Sequence, residues 1–139
     1  VVCIEKNARY LKRDDFADAP DVVTTDLSFI SVLKILPAVK EFLCDGRLLS
    51  LIKPQFEAER RQVGKKGVVR DPALHEDVLN RTIEEAYKNG FALRNLIKSS
   101  VRGQKGNREF FVLWSLKEEP LSQGEVQRLI KEAVWNEKN

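Results

Sequence analysis

Little in this chain speaks for metal, disulfide or membrane chemistry. Its 139 residues include two cysteines, Cys3 and Cys44, and one histidine, His75. Two cysteines make no disulfide framework and have no metal-ligand spacing. Both lie in apolar contexts and are expected to pack as small hydrophobes, which suits a reducing cytosol. His75 falls in a helix's first turn, and no metal role is expected for it. No apolar stretch reaches the roughly 20 residues that cross a bilayer. The longest, Phe29 to Val39, is broken by Lys34 and Pro37. No cleavable signal pattern opens the chain, so a cytoplasmic protein without membrane partners is expected. There is no internal repeat and no low-complexity segment. The chain holds seven glycines. None follows a predicted strand and opens a helix, as the phosphate-binding turn of nucleotide folds requires.

What is present reads as one globular domain over 1–139. With 42% hydrophobic and 32% charged residues, the composition argues against disorder. The net charge is only +3, but it is unevenly spread. From Arg94 to Arg108 there are five basic residues and no acid; from Lys53 to Asp71 there are six against three. Both stretches fall mostly in predicted loops. Clustered cations beside a crevice suit a polyanion, because phosphate neutralisation releases counterions. Charge alone fits a solvated surface equally well.

The pattern alternates between strands and helices. Strands are predicted over 1–4 (ending at Glu5), 21–26, 48–53, 91–98 and 109–116. A short helix is predicted over 7–12, and a longer one over 29–44 that Pro37 divides and Gly46 ends. Asp71 and Pro72 open another as N-cap and first helical residue, and Gly90 ends it. Ser122 and Glu125 form a capping box for the last. Residues 54–70 have no periodicity, and a loop that long in a compact domain is often functional. The last two strands are joined too closely for a helical crossover and must pair antiparallel.

Two strands end on opposite charges. Val22-Val23 leads into Asp26, and Leu48-Leu49-Ser50-Leu51-Ile52 leads into Lys53. In open α/β sheets ligands sit at the carboxyl edge of the strands, so an acid and a base are aimed at one crevice. From the residues alone, Asp26, Lys53 and Glu109 read as a structural ion-pair network.

The segments Asp26-Leu-Ser-Phe-Ile-Ser31, Leu51-Ile-Lys-Pro-Gln-Phe-Glu57, Gly64-Lys-Lys-Gly-Val-Val-Arg-Asp-Pro72 and Gly103-Gln-Lys-Gly-Asn-Arg-Glu109 occur in order. Together they resemble the hemolysin-A-type, FtsJ-like RNA methyltransferases, from about Glu5 to the end. The resemblance implies an α/β fold with a Rossmann-like methyltransferase sheet. That sheet is mainly parallel with an antiparallel last strand, and here truncated at the N-terminus. In the family the glycine-rich turn, two strands and the first catalytic lysine lie upstream of this segment. The expectation is therefore an incomplete domain that binds S-adenosylmethionine weakly or not at all. The missing strands would lie between strands 1–4 and 21–26. Residues 1–5 should then pair beside 22–26 or detach, or a second copy should cover the bare edge.

The resemblance implies transfer of a methyl group from S-adenosylmethionine to a ribose 2′-hydroxyl of ribosomal RNA. Asp26, Lys53 and Glu109 match the last three members of the family's Lys-Asp-Lys-Glu set. Lys53 would touch the hydroxyl as base or orienting donor. With two acids and no second lysine, it is expected to be charged and ion-paired. Asp26 and Glu5 are the cofactor-facing candidates, although Glu5 is equally plausible as a solvated acid. Arg60, Arg61, Lys65, Lys66, Arg70, Arg102, Lys105 and Arg108 are candidate phosphate contacts, which position RNA without reading its sequence. Lys66 replaces a family glycine and restricts the backbone if a positive φ is needed there. Phe56 can stack on a base or anchor its loop. Trp114 and Trp135 are expected in core or half-buried packing. A non-catalytic RNA-binding or assembly module is the alternative. A small-molecule methyltransferase fits the basic loops less well.

Overall fold

The computed structural model describes residues 1–44, 46–64 and 66–136. Four strands and four helices follow one another along the chain: β1 Val22–Asp26, α1 Leu36–Leu43, β2 Arg47–Ile52, α2 Pro54–Glu57, α3 Pro72–Lys88, β3 Ala92–Lys98, β4 Phe110–Ser115 and α4 Gln123–Trp135. The sheet order is β1-β2-β4-β3. β1 pairs parallel with β2, while β4 inserts antiparallel between β2 and β3. Three strands therefore run one way and the last runs against them, as the short β3–β4 connection requires.

The sheet buries one face, fully on β2 and β4 and half on β1. Leu48, Ser50 and Ile52 stand opposite Trp114, Val112 and Phe110 on that face, and all six are buried. Ser50 is tolerated there because its Oγ accepts a hydrogen bond from Trp114 Nε1 at 3.2 Å, which satisfies both buried polar groups. Side chains of α1, α3 and α4 complete the same core. Burying each large apolar side chain contributes about 1.5–3 kcal/mol.

The helix boundaries follow their chemistry. The Asp71 side chain accepts from Ala73 N, and Pro72 opens α3. α3 ends where Gly90 N donates to Tyr87 O and Phe91 N donates to Ala86 O. Those two bonds, with Gly90 at φ 90°, are a Schellman cap. The Ser122/Glu125 capping box starts α4.

Four expectations are corrected. Residues 1–4 form no strand. Of the three outcomes foreseen, detachment is the one seen: β1's outer edge pairs with no strand among the described residues. Ala8, Leu11 and Phe16 pack against the core instead, with the Phe16 and Phe42 rings 4.6 Å apart. The helix foreseen over 7–12 shortens to a 3-10 turn, Ala8–Tyr10. The one foreseen over 29–44 starts later, as a 3-10 turn, Val32–Lys34, followed by α1; the expected division holds, with Pro37 in the first turn of α1. Both cysteines are exposed, because Cys3 lies in the detached segment and Cys44 leaves α1 with φ 54°.

Gly46 does not end α1 through a left-handed backbone. It allows a close approach: a Cβ there would lie 2.2 Å from Asp21 O, the same oxygen that accepts from Arg47 N and begins the β1–β2 pairing. Gly46→Ala is expected to destabilise the chain by about 1–3 kcal/mol through overpacking, read as a lower midpoint in urea denaturation.

Candidate active site

The parallel register of β1 and β2 sets Asp26 beside Leu51, two residues before Lys53. Pro54 keeps Lys53 extended, at φ −113° and ψ 100°, since the residue before proline avoids the helical region. The Lys53 side chain turns back to Asp26, with Nζ 2.5 Å from Oδ1. Nζ also donates to Ser28 Oγ at 3.4 Å. The pair is lopsided: the Lys53 side chain is 13% exposed and that of Asp26 70%. The ammonium is thus sheltered and the carboxylate stands at the mouth.

Glu109 precedes Phe110, the partner of Ile52 across β2 and β4. It therefore lies opposite Lys53 at the same sheet edge, and it is buried. The expected three-member ion cluster is nevertheless corrected to a pair. Glu109 forms no ion pair among the described residues. Its Oε1 accepts a long hydrogen bond, 3.5 Å, from Gln55 Nε2, and the carboxylate lies against Gly103. A Cβ on Gly103 would fall 1.9 Å from Glu109 Oε1. Gln55 Oε1 is buried without a partner, so an unused acceptor sits beside this carboxylate.

Three features here carried no assigned role in the sequence. Glu57 is a clamp between the β1 and β2 loops. Its Oε2 accepts from Ser31 Oγ at 2.5 Å and its Oε1 from Val32 N at 2.8 Å. Burial pushes its carboxyl above the ordinary value of 4.5, outweighing the two hydrogen bonds that pull it down. Phe29 is the second feature: 85% exposed, at φ 64°, with its ring 5.1 Å from that of Phe56. A bulky residue with positive φ is an outlier of the kind that gathers at functional sites. Phe56, half-buried, serves as its support. Asn107 is the third. Its Oδ1 accepts from Val69 N, and its Nδ2 donates to Gly67 O and Gln104 O, tying the two basic loops together.

The basic candidates divide. Arg70, Arg102, Lys105 and Arg108 line one cavity of about 650 Å3. Arg61 is instead paired with Glu59 at 2.7 Å, and Arg60 is exposed on the same 3-10 turn. Lys66 is exposed. Among the described residues of these loops the left-handed ones are Gly67, Lys105 and Gly106, so the strain expected at Lys66 is not seen. Lys65 lies outside the described residues. Glu5 is exposed in the detached segment and contacts none of the other candidates, because the strand that would have placed it does not form. No metal-binding cluster of His, Cys, Asp and Glu exists among the described residues. No helix of the described residues is long and apolar enough to cross a membrane.

Comparison with known proteins gives the family of the chain. The family model of FtsJ-like methyltransferases matches residues 1–116, and the chain belongs to that family. The Bacillus subtilis protein YqxC, which carries the name of an rRNA methyltransferase, is 40% identical over 96% of this chain and 50% of its own length. The Mycobacterium tuberculosis protein named 16S/23S rRNA (cytidine-2′-O)-methyltransferase TlyA is 38% identical over 82% of this chain and 43% of its own. A solved structure from Lactococcus lactis that carries the name hemolysin superposes with a TM-score of 0.85 at 34% identity, covering 95% of this chain and 65% of that one. The chain spans about half the length of the curated relatives it matches.

The Glu57 clamp makes a pH-dependent prediction. Its raised pKa means that the folded state holds the proton more tightly than the unfolded one. The resulting stability is full below about pH 4.5 and is lost as pH rises through the folded value. Glu57→Gln keeps an acceptor for Val32 N but does not titrate. Its melting temperature relative to the parent chain is expected to rise between pH 4 and pH 7, read by thermal melts across that range; a constant difference is the contrary result.

Proposed function

We propose that this chain provides the acceptor side of an S-adenosylmethionine-dependent methyltransferase acting on a ribose 2′-hydroxyl of ribosomal RNA. The observation that carries the reading is the Asp26–Lys53 pair, 2.5 Å apart, at the carboxyl edge of adjacent strands, with Glu109 and the unpartnered Gln55 Oε1 beside it. The names of the relatives supply the substrate class.

S-adenosylmethionine, typical of this family, fits the residues on one side only. Among the described residues no strand passes through a glycine turn into a helix, so they form no cradle for its nucleoside end. When bound it supplies an electrophilic methyl carbon. The chain's own residues then deal with the hydroxyl. Lys53, held by Asp26, donates to the hydroxyl oxygen and fixes its direction, and positioning of this kind is a large part of such catalysis. Glu109 accepts the hydroxyl hydrogen, with Gln55 Oε1 as a second acceptor. The oxygen's acidity rises steeply as it gains a carbon, so a carboxylate suffices to take the proton. The exposed Phe29 ring, backed by Phe56, offers a stacking surface for the base of the same nucleotide.

The test is incorporation of labelled methyl into rRNA by the chain with the family's upstream segment restored, followed by digestion to nucleosides. A 2′-O-methyl nucleoside is expected, and a base-methylated one overturns the reading. RNA binding without any incorporation, even with that segment restored, instead supports the non-catalytic alternative. Lys53→Ala is expected to lower the rate by about 100-fold or more. Gly103→Ala tests Glu109 indirectly. The new methyl displaces a side-chain end rather than backbone, so methyl transfer should fall at least tenfold while the melting temperature changes by only about 2–4 °C, the scale of a loss under 1 kcal/mol.

A further inference from the structure

The cavity of about 650 Å3 lies between the start of α3, the end of α4 and the β3–β4 loop. Five of its lining residues are cations: Arg70, Lys98, Arg102, Lys105 and Arg108. No carboxylate among the described residues lines it. Two of the cations are engaged with backbone. Lys98 Nζ donates to Asn136 O at 2.6 Å, and Arg102 Nη1 donates to Gly106 O at 3.2 Å. Arg70, Lys105 and Arg108 have neither an ion pair nor a side-chain hydrogen bond among the described residues. All three are therefore free to meet an anion that enters.

The cavity is not only cationic. Trp135 lines it and is 53% exposed. Its ring is oriented by a hydrogen bond from Nε1 to Glu76 Oε2 at 2.8 Å. His75 stands at the back, its Nε2 3.1 Å from Val69 O and its ring 5.6 Å from that of Phe110. Burial, with the nearby Arg108 charge, holds His75 below its ordinary pKa of 6.5, so it adds a neutral wall at neutral pH. A smaller hollow of about 130 Å3 shares Lys105 with this cavity and Gln55 with the catalytic group.

We propose that this cavity is a second nucleotide subsite: it takes one nucleotide of single-stranded RNA, with the phosphate on Arg70, Arg102, Lys105 and Arg108 and the base stacked on Trp135. The subsite rests on the reading of RNA as the acceptor and extends it, because the nucleotide held here is not the one methylated. Guanidinium forks match phosphate geometry, and an aromatic face takes any base. The volume suits a single nucleotide rather than a duplex.

Trp114 is fully buried, so quenching of the chain's tryptophan fluorescence reports on Trp135. Titration with a hexauridylate RNA is expected to quench it saturably, and inorganic phosphate or a hexaglutamate peptide should not match that. Arg102→Ala/Arg108→Ala is expected to weaken the hexamer at least tenfold. The slope of log affinity on log salt should fall by about 1.4, two contacts at about 0.7 each for single strands. Trp135→Ala, followed by filter binding, is expected to weaken it about fivefold or more. Circular dichroism melts confirm that the variants fold. Equal hexamer affinity in folded variants and parent, or equal quenching by the peptide or by phosphate, overturns the subsite. Saturable quenching without methyl transfer to rRNA, even with the family's upstream segment restored, leaves the subsite standing and removes the methyltransferase reading. Methyl transfer with an unchanged KM for rRNA in Arg102→Ala/Arg108→Ala does the reverse.

Discussion

The mouth of the site depends on one half-buried carboxylate. Glu57 spans the two loops that leave β1 and β2, accepting from Ser31 Oγ and Val32 N. Asp26 ends β1, with Ser28 and Phe29 on the loop after it; Lys53 follows β2, with Gln55 and Phe56 in α2. Beside the clamp, the Asp26–Lys53 pair, the Lys53–Ser28 hydrogen bond and the Phe29–Phe56 contact join the same two segments. The arrangement is costly, because burial works against the charged form of Glu57. Two hydrogen bonds to a charged acceptor contribute about 1.5–3 kcal/mol each, which offsets much of that cost. A pair of loops that had merely to avoid each other would not need such a residue.

The Asp26–Lys53 pair has a different standing. With Asp26 mostly exposed, the pair belongs with exposed ion pairs, worth about 0–1 kcal/mol. Stability is a weak reason for this geometry. Orientation is a better one, since a sheltered ammonium fixed by an outer carboxylate can point at only one place. Glu109 fits the same pattern. It is buried without a cation, held by Gln55 and by the bare Cα of Gly103.

Much of this was legible in the chain. The apolar runs ending at Asp26 and Lys53, the Asp71-Pro72 helix start and the Ser122/Glu125 box are local signals, and local chemistry decides them. So was the direction of β4, because the connection from β3 is short. Residues 1–4 misled because an apolar run becomes a strand only where a neighbouring backbone receives it, and that neighbour is not a property of the run. Glu57 and Asn107 were illegible for a related reason. Each is an ordinary polar residue whose partners lie 25 to 26 or up to 40 positions away in the chain.

Glycine shows the same limit most sharply. Gly90 does what a sequence reading expects, with φ 90° at a helix end. Gly46 and Gly103 need no unusual backbone angle. They are required because something else stands where a side chain would be: Asp21 O in one case and the Glu109 carboxylate in the other. The first approach lets β1 and β2 come into register, and that register brings Asp26 to Lys53. The second sets where Glu109 lies relative to the same pair. Two missing methyl groups thus govern the placement of all three charged residues, and neither can be read from the glycine's own neighbours in the chain.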